Sequence, residues 1–114
     1  MKDTVLLCTR FGMGHTDIAA LDQKLIVKYF SLILDSTELP AAICFYTDGV
    51  RLVTDDSPVL DQLGQLEKKG VRLIVCSTCL EEMSIAQSQV KVGIVGGMPD
   101  IIEAQTRADK VITL

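Results

Sequence analysis

The stretch Val71-Arg72-Leu73-Ile74-Val75-Cys76-Ser77-Thr78-Cys79 decides the fold. Its first six residues are almost continuously apolar and rich in β-branched side chains, which is typical of a strand in a parallel sheet. The next three residues begin a loop or a short helix. The pattern therefore predicts a strand over 71–76, with Cys76 at its carboxyl end.

Similar apolar runs on both sides of this strand predict the rest of the sheet. Residues 4–10 and 41–46 predict two earlier strands, and residues 90–95 and 110–114 predict two later ones. The alternating segment 50–54 predicts a small excursion outside the main sheet.

Helical periodicity fills the gaps between the strands. It predicts helices over 17–34 and 100–108, and a further helix that runs to Lys69. In that helix Ser57 is the expected cap and Pro58 the expected first residue, while Gly70 marks the stop.

The alternation of strands and helices predicts an α/β protein, with one domain over residues 1–114. Right-handed crossovers would place the strands in a parallel sheet between layers of helices. In such sheets, ligands and chemistry gather at the carboxyl ends of the strands. We therefore expect the segments 11–16, 47–49 and 76–79 to lie together at one edge of the sheet.

Composition and charge exclude several classes of function. The chain has 114 residues, a net charge of −4 and no block of lysine and arginine, so nucleic-acid binding is disfavoured. The first residues lack a signal-peptide pattern, and the most apolar helical stretch, 25–34, is about half the length that crosses a bilayer. We expect a cytoplasmic protein without a membrane segment, whose four cysteines are reduced thiols.

Two of those cysteines, Cys76 and Cys79, are the strongest chemical signal in the sequence. Two thiols three residues apart at the start of a turn can share a disulfide or pass a sulfur atom between them, and helix N-terminal amides would lower a thiol pKa there. Simple packing at the strand end and thioredoxin-type exchange stay open as alternatives. No metal or cofactor is predicted, since no second paired motif completes a zinc site.

The loop after the first strand contains Gly12, Met13, Gly14 and His15. It lacks the third glycine of the dinucleotide-binding fingerprint, so its glycines indicate a tight turn or a close approach of backbone. His15 is either an exposed residue without a role or a group that tunes a thiolate or binds an anion. The candidate binding surface combines this loop with Thr47, Asp48, Gly49, Ser77 and Thr78.

The predicted first helix has a wider apolar stripe than packing on one sheet requires. Leu25, Ile26, Tyr29, Phe30 and Ile33 belong to this stripe. Part of it would face either a neighbouring subunit or the helix over 100–108 of the same chain.

Five segments together resemble the DsrE/DsrF-like superfamily, and most closely the C-terminal domain of YedF-type sulfurtransferase-like selenium metabolism proteins. They are Arg10–Gly14, Leu39-Pro40 leading through Ile43–Tyr46 to Gly49-Val50, Ser57–Leu60, Cys76–Leu80 and Ala108–Ile112. The sequence departs from the family pattern at Ser77, at Thr47-Asp48 and at Gly96-Gly97-Met98, so ligand contacts near those loops do not carry over.

The resemblance implies a three-layer α/β/α sandwich with a mostly parallel five-stranded sheet, and frequent homo-oligomers. It also implies that Cys76 carries a persulfide and that Cys79 resolves or relays it, with the Cys76 sulfur emerging into an accessible pocket. Because YedF-type proteins usually carry a TusA-like domain that this sequence lacks, we expect the sulfur donor or acceptor to be a separate TusA-like protein or a cysteine desulfurase.

The leading hypothesis is therefore a sulfur, or selenium, carrier that works as a sulfurtransferase-like protein. One alternative is a non-catalytic module that binds a small ligand or a partner. Another is a thiol redox switch, in which the two cysteines close a disulfide.

Overall fold

The computed structural model describes residues 1–114 and contains five strands, four α-helices and two 3₁₀ helices. The strands are β1 (Thr4–Cys8), β2 (Ala42–Phe45), β3 (Arg72–Cys76), β4 (Ile94–Gly96) and β5 (Lys110–Thr113). The α-helices are α1 (Ala19–Leu34), α2 (Leu60–Lys68), α3 (Ser77–Glu82) and α4 (Met98–Arg107), and the 3₁₀ helices cover Thr47–Val53 and Gln87–Gln89. None of these helices is both long enough and apolar enough to cross a membrane.

All five strands form one parallel sheet in the order β4-β3-β2-β1-β5. Every residue of β1 and β2 is buried, because both strands are covered on both faces and their sequences are almost entirely apolar. The register aligns Cys8 with Phe45 and Phe45 with Val75, so the three central strands end side by side. The predicted α/β class with a five-stranded parallel sheet is confirmed.

The helices cover the sheet from two sides. β1, β2 and β3 follow one another in one direction across the sheet, so right-handed crossovers place α1 and α2 on the same face. There Gln62 of α2 donates a hydrogen bond of 3.2 Å to Ser31 of α1. The chain returns from β4 to β5 in the opposite direction, which places α4 on the other face, where Ala104 lies near Val5 and Ala42. The result is a three-layer sandwich.

The segment after β2 is a 3₁₀ helix, Thr47–Val53, that lies outside the sheet as predicted. It is helical because Val50, Leu52 and Val53 are all buried, while Arg51 is exposed. A strand would point Leu52 and Val53 in opposite directions.

α2 begins later than predicted. The Ser57 hydroxyl accepts a hydrogen bond of 3.1 Å from the Val59 N–H, so Ser57 and Pro58 form a turn before the helix starts at Leu60. The prediction of Ser57 as the cap and Pro58 as the first helical residue is therefore wrong. The predicted end is correct, because Gly70 follows the last turn with a φ of 100°.

β4 is shorter and lies later in the chain than the predicted strand over 90–95. Val90 instead forms an isolated antiparallel bridge with Thr54. Gly93, with a φ of 86°, then turns the chain into the sheet, and only Ile94–Gly96 pairs with β3. The first part of the predicted strand is therefore a connection.

α1 buries only part of its apolar stripe. Ile26, Phe30 and Ile33 lie in the core, whereas Leu25 is 40% exposed and Leu32 is 72% exposed. The predicted alternative, that α4 of the same chain covers the stripe, is wrong because α4 lies across the sheet. Homo-oligomerisation through the uncovered side of α1 stays a prediction.

Cys8, in β1, and Cys44, in β2, are fully buried and form no disulfide. Burial raises the pKa of the Cys44 thiol to about 11, against a smaller lowering by the charge of Arg72. Burial raises the pKa of the Cys8 thiol above its ordinary value, and the electrostatic interaction with Cys44 raises it further. Both thiols therefore stay protonated at a pH that would ionise them in the unfolded chain.

Alkaline pH should consequently destabilise the fold through these thiols. Because their folded-state pKa values are raised, the stability that they contribute is fully present below the ordinary pKa of 9.0 and is lost as the pH rises towards about 11. Cys44→Ala removes one of the two groups, so its free energy of unfolding should fall less steeply over this range than that of the wild type. Urea unfolding followed by circular dichroism measures both slopes, and equal slopes would contradict the assignment.

Candidate functional site

Cys79 lies at the carboxyl edge of the sheet, as the third residue of α3. α3 starts directly after β3 and is anchored by the buried side chain of Leu80. It ends where Ser84 adopts a φ of 56° and the Ile85 N–H donates a hydrogen bond of 2.9 Å to the Leu80 carbonyl. This short, well-ended helix holds the half-buried Cys79 side chain beside the ends of the central strands.

A backbone N–H from the neighbouring loop contacts the Cys79 sulfur. The Thr47 N–H donates a hydrogen bond of 3.1 Å to Cys79 Sγ. Thr47 has a φ of 50°, a left-handed conformation that β-branched residues rarely adopt. Its Oγ1 lies 2.7 Å from the carbonyl oxygens of both Thr9 and Tyr46, and this anchoring offsets the backbone strain. The loop after β2 is thus fixed in a shape that presents a donor to the sulfur.

Gly49 permits this loop shape because it has no side chain. A Cβ atom at this position would overlap the carbonyl oxygen of Cys8, at the end of β1. The same carbonyl accepts a hydrogen bond of 3.1 Å from the Tyr46 N–H. The loop after β2 therefore rests directly on the backbone at the end of β1.

Cys76 is buried, with 1% of its surface exposed, so the expectation that its sulfur emerges into an accessible pocket is wrong. The physical reason is that the chain enters α3 at the very next residue, which leaves the strand-end side chain in the core. No disulfide joins Cys76 to Cys79, and the neighbouring Cys76 thiol raises the pKa of the Cys79 thiol. Of the two predicted site cysteines, only Cys79 reaches the surface.

The surroundings of Cys79 raise the pKa of its thiol. Partial burial is the largest cause, and the neighbouring Cys76 thiol raises the pKa further. The Thr47 N–H acts in the opposite direction without cancelling these effects. The lowered thiol pKa that was expected here is therefore wrong, and Cys79 is mostly protonated at neutral pH.

Cys79 opens into a cavity of about 340 Å³, which we call the thiol cavity. Its other walls are Thr47, Asp48, Thr78, Glu82 and Met83. The thiol therefore faces solvent between two carboxylates.

A second cavity, of about 230 Å³, adjoins the first and shares Asp48 with it. We call it the polar cavity. Its remaining walls are Arg10, Phe11, Gly12, Gly14, His15, Thr16, Ala19, Asp22, Gln23 and Arg51. The loops after β1, β2 and β3 therefore do lie together at one edge of the sheet. Among the candidate residues, Met13, Gly49, Cys76 and Ser77 line neither cavity.

Asp22, in the first turn of α1, organises the loop after β1. Its carboxylate accepts hydrogen bonds from the Thr16 N–H at 3.2 Å and from the Thr16 hydroxyl at 2.7 Å, and these bonds lower the pKa of Asp22. The Met13 N–H donates to the Asp22 carbonyl at 3.0 Å. Gly12 passes so close that a Cβ there would lie 2.8 Å from the Asp22 backbone. The close backbone approach predicted for this loop is thus present.

Three residues of the polar cavity are not among the site residues predicted from the sequence: Asp22, Arg10 and Arg51. Asp22 could have been found as a polar residue in the helical register of Ile26 and Phe30. Arg10 lies in a loop and Arg51 in the 3₁₀ helix Thr47–Val53, and no local signal marks either of them as a residue of the site.

The largest cavity, of about 520 Å³, lies at the opposite end of the sheet from the thiols. Met1, Tyr29, Leu32 and Glu38 are among its walls, and it contains no cysteine. The largest cavity is therefore not the one that contains the accessible thiol.

Comparison with known proteins identifies the fold. The family model described as "DsrE/DsrF-like family" matches residues 14–114. The protein of unknown function MTH1491 from Methanobacterium thermoautotrophicum is similar, with a TM-score of 0.68 and 21% identity over 99% of this chain and 98% of that chain. The ychN protein from E. coli gives a TM-score of 0.66 and 15% identity, over 97% of this chain and 98% of its own.

A protein of unknown function from Bacteroides thetaiotaomicron, BT1422, also has a TM-score of 0.66, with 16% identity over 98% of this chain and 95% of its own. At such low identities, these structural likenesses show the fold alone. No curated protein matches the sequence.

Two glycine substitutions test the contact between the ends of β1 and β2. Gly49→Ala should destabilise the protein by about 1–3 kcal/mol or more, because its Cβ must displace the Cys8 backbone. Gly64→Ala is the control: this residue lies inside α2, and the new Cβ would meet only Val92 at 3.7 Å. That change should stabilise by about 0.5–1 kcal/mol. Chemical unfolding of both variants measures the difference in their free energies of unfolding. Similar values would show that the loop after β2 does not rest on the end of β1.

Proposed function

The chain belongs to the DsrE/DsrF-like family, and from that premise we propose that it carries sulfur as a persulfide on Cys79, with Cys76 as a second thiol. The family is associated with sulfur relay in general. The resemblance seen in the sequence is therefore confirmed at the level of the family, while the closer likeness to YedF-type proteins stays a prediction.

The observation that carries this proposal is the setting of the Cys79 thiol. Of the four cysteines, Cys79 alone lines a cavity at the surface, and a fixed backbone N–H points at its sulfur. A persulfide is more acidic than a thiol and is negatively charged at neutral pH, with its charge on the terminal sulfur, one bond away from the inner sulfur that the Thr47 N–H contacts. The site therefore favours a protonated thiol in the unloaded protein and places a fixed backbone donor beside the sulfur that would carry the persulfide.

Loading requires no oxidant. The Cys79 sulfur, as thiolate, attacks the terminal sulfur of a donor persulfide R–S–SH. A new S–S bond forms at Cys79, the S–S bond in the donor breaks, and the donor leaves as a thiolate that takes up the proton given up by Cys79. The products are Cys79–S–SH and R–SH, so one sulfane sulfur has moved without net oxidation or reduction.

Cys76 supplies the second step. If its sulfur attacks the terminal sulfur of the persulfide on Cys79, the persulfide moves inward to Cys76. If it attacks the Cys79 sulfur instead, a Cys76–Cys79 disulfide forms and hydrogen sulfide is released. The neighbourhood of the two thiols, three residues apart in the chain, supports either step. This proposal exchanges the roles that the family resemblance implied, because burial withholds Cys76 from any external donor.

A TusA-like protein or a cysteine desulfurase is the proposed partner. The carboxylates of Asp48 and Glu82 flank Cys79, so a partner with basic groups around its own cysteine would be favoured there. Selenium transfer, implied by the YedF-type resemblance, would use the same two thiols.

A thiol redox switch is the second candidate function, because Cys76 and Cys79 are neighbouring free thiols, which could close a disulfide. A disulfide between them would change the sulfur that Thr47 contacts and so couple oxidation to the loop after β2. A measured midpoint potential far from that of the cytosol would contradict this candidate.

Persulfide formation can be measured directly. After incubation of the reduced protein with a cysteine desulfurase and L-cysteine, blocking of thiols and mass spectrometry of peptides, we expect one added sulfur atom on Cys79. Cys79→Ser should abolish the adduct. Cys76→Ser should increase its lifetime, because the thiol that would remove the sulfur is gone.

Cys44→Ala is the matched control, since Cys44 is buried in the sheet and should leave loading unchanged. Absence of an adduct on Cys79, in protein whose Cys79 is readily alkylated, would refute the proposal. Equal loading of Cys79→Ser would refute it as well.

A further inference from the structure

The polar cavity contains two arginines without an ionic partner. The three ion pairs of the protein involve neither Arg10 nor Arg51, although the chain has an excess of acidic groups. The Arg51 guanidinium carbon lies 4.1 Å from the centre of the Phe11 ring, and this cation–π contact fixes its position. Arg51 is thus held in place without a salt bridge, which suits it to bind a carboxylate, and Arg10, whose charge also helps to lower the pKa of Asp22, is a second cation in the same cavity.

A carboxylate without an ionic partner stands at the boundary between the two cavities. Asp48 lines both of them and takes part in none of the ion pairs. Asp22, the other acid of the polar cavity, differs because both of its oxygens already accept hydrogen bonds from Thr16. Asp48 is therefore the acid that is available to bind a cationic group.

Cations in the polar cavity and an acid at its boundary with the thiol cavity suit a small zwitterion. The polar cavity, at about 230 Å³, is smaller than the usual pocket for a drug-sized ligand and fits a molecule the size of an amino acid. A ligand bound between Arg51 and Asp48 would extend its side chain past Asp48 into the thiol cavity, where Cys79 lies.

We propose that the polar cavity binds a sulfur-bearing α-amino acid, with its carboxylate on Arg10 and Arg51, its ammonium group on Asp48 and its side chain directed at Cys79. This inference rests on the carrier function proposed above, for which it names a small-molecule donor: cysteine persulfide. Transfer then converts free cysteine persulfide and the Cys79 thiol into free cysteine and the Cys79 persulfide. The terminal sulfur changes partner, and the proton of the Cys79 thiol passes to the departing cysteine sulfur.

A ligand that cannot transfer sulfur tests the binding site separately from the chemistry. S-methyl-L-cysteine keeps both charges and has a thioether side chain. Titrated into the native protein, it should shift the backbone amide NMR signals of residues 11–16 and 47–49. Two truncated probes, 3-(methylthio)propanoate without the ammonium group and 2-(methylthio)ethylamine without the carboxylate, should each bind about tenfold more weakly or worse, as expected for the loss of one ionic contact.

Substitutions identify the residues that hold each charge. Arg51→Gln and Asp48→Asn should each weaken binding of S-methyl-L-cysteine about tenfold. Arg107→Gln and Asp61→Asn, at exposed positions of α4 and α2 away from the polar cavity, are matched controls that should bind like the wild type. Thermal unfolding of all four variants checks that the fold is intact.

The outcomes separate this site from the carrier function. Equal binding of 3-(methylthio)propanoate and S-methyl-L-cysteine would overturn the zwitterion site in favour of a simple anion site, and absence of shifts in both loops would overturn it altogether. Binding of S-methyl-L-cysteine by a protein that never loads sulfur on Cys79 would support this site and refute the carrier. Loading of Cys79 by a desulfurase without any binding of S-methyl-L-cysteine would do the reverse.

Discussion

The site depends on direct backbone contact between the loop after β2 and the end of β1, which is possible only because residue 49 has no Cβ. This contact allows Thr47 to take a left-handed conformation, with its hydroxyl anchored to the Thr9 carbonyl. The Thr47 N–H then meets the Cys79 sulfur, which comes from a third segment of the chain. The parallel strands bring these segments to one edge of the sheet, and Gly49 allows the loop after β2 to contact the end of β1.

Two opposing effects give the thiol pair its character. Partial burial and the neighbouring Cys76 thiol favour a neutral Cys79 thiol, whereas the Thr47 N–H favours an anionic sulfur. A persulfide ionises more readily than a thiol, so the same surroundings would leave a larger fraction of the persulfide than of the thiol in the anionic form. In the proposed sulfur carrier, this setting would keep the unloaded thiol protonated, and the adjoining polar cavity would add selectivity through charge.

Sequence alone predicts the sheet well because burial on both faces requires continuous apolar runs, as in β1 and β2. It fails at β4, where the apolar run is interrupted by Gly93 and its first half bridges to Thr54. The Cys-x-x-Cys spacing identifies both thiols, but not which one is exposed, because that depends on α3 starting directly after β3. The contact from Thr47 joins residues 32 apart and leaves no local pattern in the sequence.

The central claim is that Cys79 is the accessible thiol and that its surroundings keep it protonated. The most direct measurement is the alkylation rate of each cysteine in the native protein as a function of pH, with peptide mass spectrometry to assign the sites. The account predicts that Cys79 reacts first and that its rate reaches half its maximum above the ordinary thiol pKa of 9.0. Faster alkylation of Cys76, or a Cys79 rate that already levels off near neutral pH, would contradict it.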